Sequence, residues 1–87
     1  MQQETKEIMG KKNKLKWLDT EYIKADLTIQ PVLLNGDYLL YTMFDRKGYN
    51  YVFVSIYDVV RHLNGENNAY LETFETEAEM VDWLEKY

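Results

Sequence analysis

The sequence predicts a small α+β domain: a three-stranded antiparallel meander, a short helix, a fourth strand, and a C-terminal amphipathic helix packed on the sheet. Three observations carry that expectation. Three short apolar runs lie between Leu27 and Val54, separated by two turn signals. Two Ser/Thr-x-x-acid patterns, Ser55 with Asp58 and Thr76 with Glu79, mark helix starts. An apolar stripe at helical spacing follows the second of them.

Met1 to Lys16 is polar, lysine-rich and without a sustained period, so residues 1–16 read as a mobile basic arm before a single domain over 17–87. Trp17 to Ile23 stays open between a strand and a helix that would run from Asp19 or Thr20, as N-caps, to about Ala25. From Tyr22 the chain alternates, with Ile23, Ala25, Leu27 and Ile29 on one side and Tyr22, Lys24, Asp26, Thr28 and Gln30 on the other, which predicts a half-exposed strand from Lys24 onward. Pro31 has no N–H for a ladder, so the strand is at an edge there, or bulged.

Asn35-Gly36 calls for a type I′ hairpin, because both central residues need positive φ. A two-residue turn would pair Leu34 with Asp37, Leu33 with Tyr38 and Ile29 with Thr42. Asp45-Arg46-Lys47-Gly48 is a longer connection, with Phe44 expected opposite Tyr51 and Thr42 opposite Phe53. That register places Leu27, Ile29, Leu33, Tyr38, Leu40, Phe44, Tyr51 and Phe53 on one face. Val32, Leu34, Leu39, Tyr41, Met43, Val52 and Val54 fall on the other, and a bulge at Pro31 would exchange part of the first strand. The runs Tyr38–Phe44 and Tyr49–Val54 are apolar on both sides, so the sheet needs two covers: helices on both faces, or a helix and a partner.

Ser55 opens a short helix with Ile56, Val59, Val60 and Leu63 as its stripe and Gly65 after its end. The competing reading extends the third strand to Tyr57 and starts the helix at Asp58. Glu66-Asn67-Asn68 is a turn, and Ala69 to Phe74 a fourth strand. Thr76 and Glu79 cap a helix from Glu77 onward, with Met80, Val81, Trp83, Leu84 and Tyr87 on one face and Glu79, Asp82 and Glu85 opposite. Lys86 stands at i,i+4 from Asp82.

Size and composition bound the chemistry. Eighty-seven residues make one domain with a thin core, burying about 60–65% of the unfolded surface. Aromatic residues make up 15% of the chain, 8 of them Tyr, which suits a small core and half-covered surfaces alike. There is no cysteine, which removes disulfides, thiolate catalysis and cysteine-metal sites. The N-terminal residues lack the apolar run of a signal peptide, and no stretch has membrane-spanning length, so a cytoplasmic protein is expected. Net charge is −5 but uneven: residues 1–24 hold six lysines against four carboxylates, and residues 25–87 four cations against eleven. An acidic body repels nucleic acid and favours a basic protein surface.

Catalytic groups are sparse. Ser55 and His62 are the only serine and histidine, and two helical turns hold them about 10 Å apart, too far for a nucleophile and its base. The carboxylates lack calcium-loop spacing, and Gly10, Gly36, Gly48 and Gly65 stand singly, with no phosphate cradle. A non-catalytic protein without cofactor or metal is expected.

Two candidate sites remain, both partner-binding. One is the acidic C-terminal segment: Glu72, Glu75, Glu79, Asp82 and Glu85. The plainer account of it is a solvated helix face; the functional account is docking onto a basic, nucleic-acid-handling protein. The other is an aromatic sheet face of Tyr38, Phe44, Tyr51 and Phe53, read either as core or interface or as a stacking platform for unpaired bases. The favoured function is a small binding or regulatory protein acting through a protein partner. Phage and mobile-element accessory proteins that inhibit host enzymes share this size and charge. The alternatives are a single-stranded nucleic-acid module, using the aromatics and the basic arm, and a homo-oligomeric accessory protein such as a homodimer.

Overall fold

The computed structural model describes residues 12–24 (backbone only from 21 to 24), 27–45 and 47–87. Strands β1 (Leu15–Trp17), β2 (Glu21–Lys24), β3 (Leu27–Leu34), β4 (Tyr38–Phe44) and β5 (Asn50–Phe53) lead into helix α1 (Ile56–Leu63). Strand β6 (Glu72–Phe74) and helix α2 (Glu77–Lys86) follow. All pairings are antiparallel, in the order β1-β3-β4-β5-β6, with β2 also on β3. The class is α+β, as the sequence predicts.

The first segment departs from expectation. Leu15–Trp17 belongs to the sheet, so the predicted arm gives up its last residues; residues 1–11 lie outside the described part. The alternating stretch divides: Glu21–Lys24, mostly within the segment left open between strand and helix, is β2, and the strand expected from Lys24 onward begins at Leu27 as β3. They pair Glu21 with Ile29 and Lys24 with Leu27, with a register shift between Tyr22 and Lys24. Residues 25 and 26, assigned to that alternation, are outside the described part.

Pro31 explains why β1 and β2 share one edge of β3 without joining. β1 pairs with Val32 to Leu34 and β2 with Leu27 to Ile29, leaving Pro31 at the gap. Leu18 N–H donates to the Pro31 carbonyl at 2.9 Å, and the reciprocal donor, which proline lacks, is replaced by the Gln30 side chain, 3.0 Å from the Leu18 carbonyl.

The Asn35-Gly36 turn forms with positive φ at both residues (55° and 83°), and Asp37 N–H reaches the Leu34 carbonyl at 3.2 Å. The ladder beyond it is one residue off the expected register: Leu34 faces Tyr38, Leu33 faces Leu39 and Ile29 faces Met43. Asp37 is the extra residue. Asn35 is held from the edge, its N–H on the Lys14 carbonyl, its side-chain oxygen accepting from Lys14 N–H, and its amide on Asn13. The β4–β5 register is also one off, with Tyr41 opposite Phe53 and Met43 opposite Tyr51. Because side chains alternate, β4 turns over relative to the expected faces while β3 and β5 keep theirs.

The two helices lie on opposite faces, so the chain supplies both covers itself. On one face Val32, Leu34, Leu40 and Val52 pack under Met80 and Leu84 of α2, with Leu15, Trp17, Phe74 and Trp83 around them. On the other, Ile29, Met43 and Phe53 pack under Val59 of α1, flanked by Leu27, Tyr41, Tyr51, Leu63 and Tyr70. Rings knit each layer. Phe74–Trp83–Tyr87–Tyr38 runs along the α2 side with centroid steps of 5.7, 4.7 and 5.9 Å. On the α1 side His62 sits 4.8 Å from Tyr51, 5.6 Å from Phe53 and 6.1 Å from Tyr70.

Both helix caps form as predicted. Ser55 accepts from Asp58 N–H, and Thr76 with Glu79 makes a reciprocal capping box. Arg61 closes α1 through Asp58 and Glu66, and its hydrogen bonds hold the Glu66 carboxyl below the usual carboxylate range. The α1 stripe is rotated from the expected one: Val59, His62 and Leu63 face the sheet, while Ile56 and Val60 are exposed. The fourth strand is shorter than predicted, starting at Glu72 rather than Ala69.

Candidate functional site

The acidic candidates sit on β6, α2 and the turn between them. The short β6 is the sheet edge beyond β5. Thr73 N–H donates to the Glu72 carboxylate at 3.1 Å, so Glu72 blocks a donor that would invite another strand. Glu79 is occupied by the capping box, Asp82 pairs with Lys86 at 3.2 Å, and the half-buried Glu85 lies 3.6 Å from Lys12. The five carboxylates are therefore not one uniform stripe. Glu79 and Glu85 hold structure as well as charge.

Between β6 and α2 lies a shallow groove of about 460 Å³, lined by Thr73, Phe74, Glu75, Glu79, Asp82, Trp83 and Lys86. Its apolar part is Phe74 and Trp83, whose rings are 5.7 Å apart. Its three carboxylates, Glu75, Glu79 and Asp82, stand against one cation, Lys86. The capping box fixes the start of α2, and that sets the rim: Glu79 and Asp82 are one turn apart on the helix and Glu75 precedes it. Aromatic faces beside carboxylates suit a cationic side chain with an apolar stem, since ring and charge both favour it.

The four aromatic candidates do not share a face. Tyr38 and Phe44 lie on the α2 side, and Tyr51 and Phe53 on the α1 side, a direct result of the β4 register. Phe53 is 0% exposed and belongs to the core. Tyr51 hydrogen-bonds Asp45 at 3.1 Å, and burial followed by that carboxylate pushes its phenol up to about 12. Tyr38 stacks on Tyr87 with planes 6° apart. No stacking platform is assembled from these four.

A second cleft, of about 280 Å³, opens on the α2 side where the helix leaves the sheet uncovered. Trp17, Thr28, Gln30, Thr42, Met43, Phe44, Asn50, Glu77 and Met80 line it. Of these only Phe44 is a candidate site residue in the sequence. The signal was present: Thr28, Gln30, Thr42 and Asn50 are polar and share one face, but only in the observed register. His62 packs among rings, Ser55 is a cap, and no metal-ligand cluster occurs among the described residues. No helix of the described residues is long and apolar enough to cross a membrane.

No family model matches the chain, no curated protein matches it, and no solved structure matches it.

Proposed function

We propose that this chain is a non-catalytic binding protein that takes a basic segment of a protein partner into the groove between β6 and α2. The supporting observation is the pairing of an aromatic floor, Phe74 and Trp83, with the carboxylate rim of Glu75, Glu79 and Asp82. An arginine or lysine would lay its stem on the rings and its charge among the carboxylates. The net charge of −5 steers such a partner toward the protein. By association with that size and acidity alone, the reading extends to a regulatory or inhibitory role of the phage accessory kind, whose target would be a protein with a basic, nucleic-acid-handling surface.

Charge reversal tests this reading if it spares the structural carboxylates. Glu75→Lys with Asp82→Lys leaves the capping box and the Lys12–Glu85 pair in place. The reversed protein should keep its circular dichroism and lose about tenfold or more in affinity for an arginine-bearing peptide, with wild-type binding weakening as salt rises. Equal affinity before and after reversal would refute the reading.

Self-association is the second reading, and one observation favours it. Val54, Ile56, Tyr57 and Val60 are 46, 39, 77 and 48% exposed on and beside the outer face of α1. Solution mass decides: it should double with concentration and fall back in Tyr57→Glu. A constant monomer mass would dismiss it.

A further inference from the structure

The second cleft carries an inference separate from the groove. Asn50 is 5% exposed and lines it, and no described residue hydrogen-bonds its carboxamide. A buried amide left without partners costs about 1–3 kcal/mol, so buried amides are found paired to protein, to water or to a ligand. This one lies on the sheet face that the cleft opens over, between Phe44 and Phe74 in register.

The surrounding hydrogen bonds fix what the cleft offers. Thr42 Oγ1 spends its proton on the Gln30 carbonyl at 2.7 Å, so toward the cleft it is an acceptor. Gln30 spends one amide N–H on Leu18 and keeps the other N–H and its side-chain oxygen. Glu77 adds a carboxylate. The cleft is therefore rich in acceptors. Among the described residues no Lys, Arg or His lines it. Trp17, Phe44 and Met80 supply apolar walls. Its volume is near the lower end of small-ligand sites, about 300 Å³.

We infer that this cleft binds a small, flat, phosphate-free heteroaromatic ring bearing an exocyclic amine, of the aminopurine or aminopyrimidine kind. The amine's two N–H groups donate to two of the three acceptors at Thr42, Gln30 and Glu77. The Asn50 carboxamide pairs with a neighbouring donor and acceptor on the ring edge. The ring faces lie against the apolar walls. Anionic forms of the same ring are rejected by Glu77 and the acidic body of the protein.

Titration of the full chain with adenine, uracil and adenosine 5′-monophosphate tests this, followed by the Trp17 indole and Asn50 carboxamide resonances. Adenine should shift both resonances saturably. Uracil, which has no amine, should bind about tenfold or more weakly, and the monophosphate should bind no better than adenine. Asn50→Leu should abolish the adenine response. Glu77→Gln, on an exposed first helical turn, keeps the fold testable and should weaken adenine several-fold. No saturable shift, equal response to uracil, tighter binding of the monophosphate, or an unchanged response in folded Asn50→Leu or Glu77→Gln would each overturn the assignment.

Discussion

Gln30 donates its side-chain amide to the Leu18 carbonyl at 3.0 Å, standing in for the N–H that Pro31 lacks. One side chain thus lets an edge strand pass a proline without leaving a bare acceptor. The same side chain lines the second cleft, so the repair of the edge and the polarity of the cleft are one arrangement.

The repair predicts a coupling. Gln30→Ala should cost about 1 kcal/mol of unfolding free energy, because the Leu18 carbonyl loses its donor. In a Pro31→Val background, where a backbone N–H is restored, the same change should cost close to nothing. Urea unfolding of the four proteins measures the cycle. Equal costs in both backgrounds would deny that Gln30 substitutes for proline.

Asn13 should matter more than a residue of a basic arm. Its N–H meets the Glu85 carbonyl at 2.8 Å, its side-chain amide the Leu84 carbonyl at 2.9 Å, and its side-chain oxygen accepts from Asn35. It adds donors to two carbonyls in the last turn of α2, where the i+4 donors run out, sharing that of Leu84 with the Tyr87 N–H. Asn13→Ala should lower stability by about 1–2 kcal/mol in thermal or urea unfolding. A loss within the ±0.5 kcal/mol typical of surface changes would put Asn13 outside the fold's framework.

How far the sequence was legible follows from these contacts. Elements with local causes were readable: the caps at Ser55 and Thr76, the positive φ of Asn35, and the stripe of Met80 and Leu84 on α2. Register was not. The hairpin takes in Asp37, and its Asn35 binds residues 13 and 14, more than twenty positions away, a contact that no local pattern announces. A one-residue slip reverses a strand, so the sequence pattern groups Tyr38 and Phe44 with Tyr51 and Phe53 although the sheet lies between the pairs. The same slip hid the row of Thr42 and Asn50. The acidic segment was visible as charge, but Trp83 as the floor of a groove was not, because only the packing of α2 on Phe74 makes it one.

Alkaline pH should expose the Tyr51–Asp45 contact. The Tyr51 phenol lies at about 12 in the folded state, against about 10 for a free tyrosine. Between those values the folded state holds a proton that the unfolded state has lost, so the slope of stability with pH is negative. The contribution is complete below pH about 10 and disappears as pH rises through about 12. Unfolding midpoints across that window should fall more steeply in the wild type than in Tyr51→Phe. Parallel curves would contradict the assignment.

The central claim is that the molecule works by holding a basic segment against Phe74 and Trp83. The two tryptophans make this directly measurable, because Trp17 lines one cleft and Trp83 the other. In Trp17→Phe, emission comes from Trp83 alone. Adding an extended arginine-bearing peptide should change that emission saturably, with an acidic peptide of equal length inert. An emission unchanged while the basic peptide binds would contradict the claim, since the segment would then be held elsewhere on the protein.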